Sequence, residues 1–291
     1  MARHQISFGD NLPILRGMAE ASVDLIYIDP PFNTRKTQAH TRIRTVAAED
    51  GDRTGFQGRR YDTVELGTRS FGDVFTDYLA FLEPRLQEAH RVLAPHGTLY
   101  VHLDFREVHY VKVLLDQVFG RSSFINEIIW AYDYGARSKR RWPTKHDNIL
   151  VYAKDPKRYR FDAEAVDRIP YMAPGLVGKE KAARGKLPTD TWWHTIVPTR
   201  GGERTGYPTQ KPLGILRRIV QASSEPDDLV LDFFAGSGST GAACAELGRR
   251  FWLVDDNLDA MGVMARRFEE VADVEWRGFD PATGEGSAAA T

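Results

Sequence analysis

The sequence Leu-Ile-Tyr-Ile-Asp-Pro-Pro-Phe-Asn-Thr at residues 25–34 constrains the fold of this chain more than any other stretch. Its four apolar residues, Leu25 to Ile28, are typical of a short strand buried on both faces, as in a parallel sheet. Two prolines follow Asp29, and because proline fixes φ and lacks an N–H group, neither a helix nor a strand ladder continues there. The sequence therefore predicts a stiff loop at the carboxyl end of a strand, where open α/β sheets bind their ligands.

This loop presents groups that suit a flat molecule carrying an amino group. The Asp29 carboxylate and the Pro30 carbonyl can accept two N–H donors, and Phe32 offers a ring for stacking. The structural alternative is a strand that ends in a proline turn, with Asp29 as an N-cap. The apolar strand before the loop, together with Phe32 and Asn33, favours a binding site.

Composition excludes several classes of protein. The 291 residues suffice for one large α/β domain with insertions, and 42% of them are hydrophobic, as in soluble globular proteins. No apolar run approaches the roughly 20 residues of a membrane span, and the N-terminus lacks a signal peptide's apolar segment. The single cysteine, Cys244, leaves no internal disulfide, and we expect it in the core of an alanine-rich helix. The histidines show no zinc-site spacing, so we predict a cytoplasmic protein without a metal site.

Strands and helices alternate along most of the chain. Strands are predicted at residues 6–9, 23–28, 98–103, 124–130, 148–153, 229–233 and 251–254. Helices are predicted at residues 11–19, 73–93, 107–119 and 213–223, with a further one that ends at 247. This alternation predicts an α/β fold with a doubly wound, mostly parallel sheet.

Three stretches depart from this alternation. Residues 35–72 are polar, glycine-containing and basic, and they predict a mobile basic loop that closes on phosphates beside the Asp29 loop. Residues 155–205 combine prolines, glycines and lysines with paired tryptophans, and they predict a small recognition region. Residues 280–291 are rich in Gly, Ala, Ser and Thr, and they predict a disordered tail.

A basic and aromatic cluster at residues 132–147 connects two predicted strands. It contains Tyr134 and Trp142. Its basic residues are Arg137, Lys139, Arg140, Arg141 and Lys145. This composition grips phosphates and stacks on exposed bases, although a solvated hairpin loop is an equal alternative on these residues alone. The formal net charge of −1 conceals this local cluster.

A glycine-rich turn follows the predicted strand 229–233. Gly236, Gly238 and Gly241 fit the pattern G-x-G-x-x-G between a strand and a helix, the context that nucleotide-binding turns require. Asp255 ends the next strand, where a carboxylate accepts ribose hydroxyls. Alone, this unit fits a nicotinamide dinucleotide as well as another nucleoside ligand.

Three features favour S-adenosylmethionine as that ligand. Asp232, directly before the glycines, suits a charged amino-acid group and would repel a pyrophosphate. Lys211 and Thr209 lie at the approach to a helix, where donors can meet a carboxylate. No residue fits the acid of a hydride-transfer reaction, whereas the Asp29 loop fits an amine.

The motifs together resemble the beta group of DNA amino-methyltransferases, in which the catalytic motif precedes the cofactor motif. The matching sequences are DPPF at 29–32, GYPTQKP at 206–212 and FAGSGS at 234–239, with further similarity at 97–104, 119–130 and 146–154. The resemblance implies a Rossmann-like methyltransferase sheet in one catalytic domain. Its catalytic half would be 1–154, its cofactor half 206–279, and its target-recognition region 155–205.

The resemblance also implies a role for each motif residue. The target amine would be held by Asp29, Pro30, Pro31 and Phe32. The methionine part of the cofactor would be bound by Thr209, Lys211, Asp232, Phe234, Gly236, Ser237 and Gly238. Asp255 would bind the ribose, and Asp10 would lie near the adenine, although Asp10 alone reads as a helix N-cap.

The activity implied is methyl transfer from S-adenosylmethionine to an exocyclic amine of a nucleotide flipped out of double-stranded DNA. Asp at the first motif position resembles adenine-N6 enzymes, and we favour adenine. Cytosine N4 is the alternative, because the same acceptors serve either amine. A nicotinamide-dependent oxidoreductase and a non-catalytic DNA-binding relative are more distant alternatives. A homodimer and a companion restriction endonuclease are partners that the resemblance allows.

Overall fold

The structure is a computed structural model that describes residues 2–31, 36–47, 53–54, 60–73, 77–133, 138–198 and 201–287, with only the backbone of 36–47, 53–54 and 60–73. The chain forms two compact units. The first comprises residues 1–30 and 79–291, and the second comprises 31–78.

The elements follow the predicted alternation closely. The helices are α1 (Asn11–Gly17), α2 (Tyr78–Val92), α3 (Val108–Phe119), α4 (Lys179–Arg184), α5 (Leu213–Ser223), α6 (Ser239–Glu246) and α7 (Leu258–Arg267). The strands are β1 (His4–Phe8), β2 (Val23–Ile28), β3 (Lys36–Ala47), β4 (Arg53–Thr54), β5 (Arg60–Asp73), β6 (Leu93–Leu103), β7 (Phe124–Ala131), β8 (His146–Ala153), β9 (Thr191–Trp193), β10 (Leu229–Asp232), β11 (Arg250–Asp255), β12 (Val274–Arg277), β13 (Phe279–Asp280) and β14 (Glu285–Gly286).

A nine-stranded sheet is the centre of the first unit. Its strand order is β12-β1-β11-β10-β2-β6-β8-β7-β9. Every neighbouring pair is parallel except the two pairs that contain β8. Since β7 and β9 run with the other strands, β8 alone is reversed in this sheet. The predicted mostly parallel sheet is therefore confirmed.

Helices cover both faces of this sheet. Leu25 and Val151 belong to one core together with residues of α5, α6 and α7. Tyr152, the neighbour of Val151 on β8, donates a hydrogen bond to Asp116 of α3 (2.6 Å). Because successive side chains of a strand point to opposite faces, α3 lies on the face opposite α5–α7. The sheet is thus doubly wound, and Cys244 of α6 is fully buried in the core, as predicted.

Strand direction decides which loops meet. β1, β11, β10, β2 and β6 are parallel, so their carboxyl ends lie along one edge, called here the carboxyl edge. The reversed β8 begins at that edge, because its Asn148 pairs with Leu103 at the end of β6. β7 ends there too, since Ala131 pairs with His146. The connection 132–145 therefore opens on the same edge as the Asp29 loop.

The second unit corrects one prediction. Within residues 35–72, β3, β5 and β4 form an antiparallel sheet in the order β3-β5-β4, paired from Lys36 with Asp73 to Ala47 with Tyr61. The prediction of a loop there is wrong for these strands. The sequence 41–45 alternates the β-branched residues Thr41, Ile43 and Thr45 with two arginines, a period-two pattern that suits a strand even when one face is polar. Mobility and closure on phosphates remain predictions.

The C-terminal segment corrects a second prediction, that of a disordered tail at 280–291. β13 and β14 form a hairpin in which Phe279 pairs with Gly286. Gly284 in its turn has φ +75°, a conformation natural to glycine. A Cβ on Gly286 would lie 2.6 Å from the Leu258 side chain, so the hairpin packs closely on the body of the unit. Disorder is therefore wrong for residues 280–287, and 288–291 lie outside the described residues.

Candidate active site

Asp29 presents one unused acceptor at the carboxyl edge. It follows β2 directly, and its side chain is 17% exposed. One carboxylate oxygen, Oδ2, accepts a hydrogen bond from the Lys211 ammonium. The other, Oδ1, is buried and has no hydrogen-bond partner among the described residues. An orphaned buried acceptor costs about 1–3 kcal/mol, so Oδ1 is suited to a donor from a ligand.

The structure describes Pro30 and Pro31 of the DPPF motif but not Phe32. Pro30 is buried directly after Asp29. Pro31 begins the second unit. Phe32 lies outside the described residues. Their contacts with a target amine remain predictions.

Lys211 joins the Asp29 loop to the glycine turn. Its ammonium pairs with Asp29, while its backbone carbonyl accepts a hydrogen bond from the Ser239 hydroxyl (3.0 Å). The side chain is almost completely buried. The two motifs recognised separately in the sequence therefore share one site. The sequence predicts a cofactor carboxylate as the partner of Lys211 and does not reveal the pair with Asp29.

Asp232 accepts hydrogen bonds from the start of the glycine turn and from α6. Its Oδ2 accepts from the Thr240 hydroxyl (2.6 Å), and its Oδ1 accepts from the Phe234 N–H (3.1 Å). Burial raises the pKa of this carboxyl to about 7, although both hydrogen bonds act against that rise. Asp232 is thus poised between its neutral and charged forms, and a ligand cation nearby would favour the charged form.

The glycines of the turn are required by close packing. Gly236 and Gly238 have φ of +50° and +73°. A Cβ on Gly238 would lie 2.8 Å from the Phe268 ring, and one on Gly241 would lie 2.7 Å from Leu253 Cδ1. Gly236 instead faces the Tyr207 ring, 3.3 Å from where a Cβ would be. Gly238 and Gly241 therefore allow close packing of α6 against Leu253 and Phe268, while Gly236 allows the Tyr207 ring to pack against the backbone of the turn.

Asp255 and Asp10 lie side by side at the ends of β11 and β1. Asp255 accepts hydrogen bonds from the Gly236 N–H (2.7 Å) and the Asn257 N–H (2.9 Å). The backbone N–H of Gly9 donates to the Asp255 carbonyl (3.1 Å), which places Asp10 next to it. Asp10 also caps α1 by accepting from the Leu12 N–H (3.1 Å), so its N-cap interpretation is confirmed.

Arg85 and Asn11 support the turn and were missed in the sequence. Arg85 of α2 donates to the Asn11 side chain (2.6 Å) and to Asp10 (2.8 Å). Asn11 in turn donates to the Phe233 carbonyl (2.6 Å). Arg85 also lies over the Phe81 ring, 3.9 Å from its centre. An arginine in an amphipathic helix predicts a solvated charge, so no local pattern could reveal this link.

The loop before α5 is held by its own side chains. Gln210 accepts from the Thr205 N–H (2.8 Å) and donates to the Glu203 carbonyl (2.7 Å). The Glu203 carboxylate accepts from the Leu213 N–H (3.0 Å) at the start of α5. Thr209 has φ +61°, a strained conformation for a β-branched residue. This loop fixes the approach of Lys211, and a contact between Thr209 and a cofactor stays a prediction.

A buried polar network lies behind Asp29. The Tyr27 hydroxyl bonds His102 Nδ1 (2.8 Å), and His102 Nε2 lies 3.3 Å from Asp147. Tyr132 donates to the other oxygen of Asp147 (3.1 Å). Tyr27 precedes Asp29 by two residues, so both lie on the same face of the chain. The network links β2, β6 and β8 beneath the site and was not predicted.

The basic cluster is exposed at the carboxyl edge. Lys139, Arg140 and Arg141 are exposed, and Trp142 is 94% exposed. The Arg141 guanidinium lies 6.0 Å from the ring of Phe105, just beyond the end of β6. Arg137 lies outside the described residues, and the part-buried Lys145 is 3.9 Å from Asp133. Contact between this cluster and DNA remains a prediction.

The raised pKa of Asp232 predicts a pH-dependent stability. A carboxyl whose pKa rises from 3.8 to about 7 on folding stabilises the protein fully below pH 4 and loses that contribution as the pH rises through 7. Asp232→Asn removes this titration and keeps an acceptor for Phe234. Between pH 5 and 8, we expect wild type to lose about 2–3 kcal/mol of unfolding free energy relative to the variant. Urea titrations without cofactor measure the difference, and parallel pH curves would contradict it.

Comparison with known proteins identifies the family. A sequence profile described as DNA methylase matches residues 23–265. The chain belongs to this family. Type II methyltransferase M.HpaI of Haemophilus parainfluenzae is 31% identical over 266 residues, covering 91% of this chain and 73% of the relative. DNA adenine methyltransferase YhdJ of Escherichia coli strain K12 is 28% identical over 277 residues, covering 91% and 82%.

The fold of this DNA methylase agrees with a solved structure. The crystal structure of the M1.HpyAVI–SAM complex superposes with a TM-score of 0.58 at 19% identity, covering 91% of this chain and 98% of the other. The family transfers methyl groups from S-adenosylmethionine to exocyclic amines of DNA, adenine N6 or cytosine N4. The predicted family, fold, reaction and cofactor are confirmed, and the oxidoreductase interpretation is wrong. Within the described residues, no acidic, histidine or cysteine cluster could hold a metal, and no helix could cross a membrane.

Proposed function

We propose that this DNA methylase acts on adenine N6 and that Asp29 holds the target amine. The observation that carries the assignment is the buried, unpartnered Oδ1 of Asp29 beside a lysine that also contacts the glycine turn. An exocyclic amine is a poor nucleophile, because its lone pair is delocalised into the ring. Acceptance of its two N–H groups by Asp29 Oδ1 and the Pro30 carbonyl would localise that pair on nitrogen.

The Lys211 ammonium orients this acceptor. By holding Oδ2 of Asp29, it fixes the carboxylate rotamer and leaves Oδ1 facing the site. Positioning of this kind is the main catalytic term in a direct transfer, and orientation effects reach about 7–11 kcal/mol. The buried network under Tyr27 supports the same strand end. No nucleophilic thiol is needed, and the only cysteine is buried.

The glycine turn fits the cofactor. Asp232 would face its amino group, since a cation there favours the charged carboxylate. Gly236, which has no Cβ, lets the Tyr207 ring lie against the turn that would hold the methionine part. Asp255 would take the ribose hydroxyls, with Asp10 near the adenine. Phe234, Ser237, Gly238, Thr209 and Lys211 would complete the pocket. When bound, S-adenosylmethionine supplies a methyl group on a positively charged sulfur that is open to in-line attack.

Adenine is favoured over cytosine by two observations. The motif begins with Asp29, which resembles adenine-N6 enzymes, and the relative YhdJ is named a DNA adenine methyltransferase. Cytosine N4 is the second candidate, because the same acceptors serve it. The type II relative M.HpaI supports a companion restriction endonuclease as a partner of this chain.

The test is methylation of plasmid DNA with labelled S-adenosylmethionine, followed by nucleoside analysis and single-molecule sequencing. We expect label in N6-methyladenine within one sequence context. Label in N4-methylcytosine would replace the adenine assignment. Absence of label in either nucleoside, with cofactor binding intact, would overturn the catalytic proposal.

The basic cluster is proposed to hold DNA phosphates. Replacing both Arg140 and Arg141 with alanine is expected to weaken DNA binding and reduce the slope of log K against log salt by about 1–2, since each phosphate contact contributes about 0.9. Fluorescence anisotropy from low to moderate salt measures this slope.

A matched control pair lies away from the carboxyl edge. Arg16 in the last turn of α1 and Lys157 after β8 are also exposed cations. Their double alanine variant removes the same charge and should leave the slope nearly unchanged. Equal slopes in both double variants would show that the cluster at 132–147 is a solvated loop that does not bind DNA phosphates.

A further inference from the structure

A cavity lies in the first unit, apart from the site around Asp29. It has a volume of about 280 Å³ and lies between β6, β7, β8 and α5, under part of the segment 155–205. Thr98 and Tyr100 of β6 line it, and Ala222 and Ser223 mark its end at α5. These β6 residues come before the strand's carboxyl end. None of the proposed catalytic or cofactor residues lines this cavity.

The walls are mainly apolar and include one cation, Arg218, that forms no ion pair among the described residues. Ile128, Val151 and Trp192 supply apolar surface. Arg218 of α5 lies over the Trp192 indole, with its guanidinium carbon 4.8 Å from the ring centre. Its Nε is buried without a hydrogen-bond partner, and no carboxylate of the described residues forms an ion pair with it. The neighbouring Arg217, by contrast, pairs with Glu246 (2.6 Å).

A second polar atom of the lining is also unsatisfied. Thr98 is 1% exposed, and its hydroxyl has no partner among the described residues. The nearby hydroxyls of Tyr100 and Ser223 satisfy each other (2.8 Å). Two unsatisfied donors, one of them cationic, therefore line the same apolar space.

Buried polar groups and charges are normally paired, because desolvation without a partner is unfavourable. Burial lowers the pKa of Arg218, and Asp167 is the acidic group that acts against this, while the exposed Asp190 lies at the cavity margin. An anion placed in the cavity would supply the missing counter-charge. Its apolar body would cover the walls that water solvates poorly.

We propose that this cavity binds a small aromatic carboxylate, with the carboxylate on Arg218 and Thr98 and the ring against Trp192 and Val151. The volume is appropriate, since about 150 Å³ of apolar cavity accommodates one benzene. The remaining space fits a short acid side chain. Such a ligand would contact both α5 and the proposed recognition region. The inference is independent of the target base.

The first test uses the full chain with trans-cinnamate and its neutral isostere cinnamamide. We expect calorimetry to show cinnamate binding about 10- to 100-fold more tightly than the amide, the ratio that one charge-assisted hydrogen-bond pair supplies. Equal affinities would overturn the role of Arg218. Absence of binding by both probes would overturn the site itself.

Variants of residues inside and outside the cavity lining test where cinnamate binds. Arg218→Met should reduce cinnamate affinity at least about tenfold and leave cinnamamide affinity nearly unchanged. Arg217→Met, one residue away but outside the lining, is the matched control and should bind cinnamate as wild type does. If Arg218→Met does not fold, Thr98→Val tests the same cavity and should weaken cinnamate severalfold. Cinnamate affinity that is unchanged in the folded variants would contradict the proposal.

Discussion

Asp29→Ala is expected to lower the rate of methyl transfer by about 1,000-fold or more while S-adenosylmethionine still binds. The variant removes the buried acceptor Oδ1, and loss of one preorganised electrostatic contact at a reacting centre costs about 100- to 1,000-fold. Loss of the carboxylate also removes the ion pair with Lys211, which adds to the effect. Single-turnover transfer to plasmid DNA measures the rate, and calorimetry measures cofactor affinity.

Two further variants sharpen this test. Asp29→Asn keeps an acceptor oxygen but loses the charge, so we expect an intermediate rate. Asp116→Ala is the matched control, because Asp116 also pairs with a lysine, Lys112 at 2.8 Å, but lies on α3 outside the site. Its transfer rate should stay within about twofold of wild type, as for surface residues away from the chemistry. Retained turnover in Asp29→Ala would remove Asp29 from the reaction.

Lys211→Met is expected to impair both stability and transfer. The pair with Asp29 is nearly buried, with side chains 9% and 17% exposed. Removing one partner leaves a poorly solvated charge, and we expect the unfolding free energy to fall by about 3 kcal/mol. Transfer should fall by about 100-fold, because the Asp29 carboxylate is no longer oriented. Urea unfolding and single-turnover assays measure the two effects.

A double-mutant cycle measures the interaction between Asp29 and Lys211 apart from their interactions with other residues. Asp29→Asn combined with Lys211→Met removes both charges, so the double variant should be more stable than Lys211→Met alone. The coupling free energy should exceed about 1 kcal/mol, well above the roughly 0.5 kcal/mol scatter of independent sites. Additive losses would show that the two side chains do not interact in solution.

Local patterns predicted seven of the nine strands of the large sheet and five of the seven helices of the described residues. Four apolar residues before Asp29 predicted β2, and the glycines at 236–241 predicted the turn between β10 and α6. These signals are local, because burial and backbone conformation restrict which residues can occupy each position. The same reasoning placed Cys244 in the core.

Long-range pairing could not be predicted in this way. Asp29 and Lys211 are 182 positions apart, and nothing in either neighbourhood specifies the other. Arg85 of α2 bonds Asn11 and Asp10, which lie 74 and 75 positions earlier in the chain. The strands within residues 36–73 lie in polar, glycine-containing sequence, which resembles a loop despite its period-two alternation. Contacts of this kind depend on topology, which a single sequence does not encode in any one window.

The reversed direction of β8 affects how freely the connection before it can vary in length. Residues 132 and 145 are adjacent across the sheet, since the Tyr132 N–H donates to the Lys145 carbonyl (2.9 Å). Both ends of the basic cluster are thus pinned side by side, and its length can change without moving any strand. Each doubling of such a connection costs only about 0.6 kcal/mol in closure entropy. Insertions or deletions between residues 132 and 145 are therefore expected to leave the sheet and the Asp29 loop in place, which circular dichroism and thermal unfolding of such variants would measure.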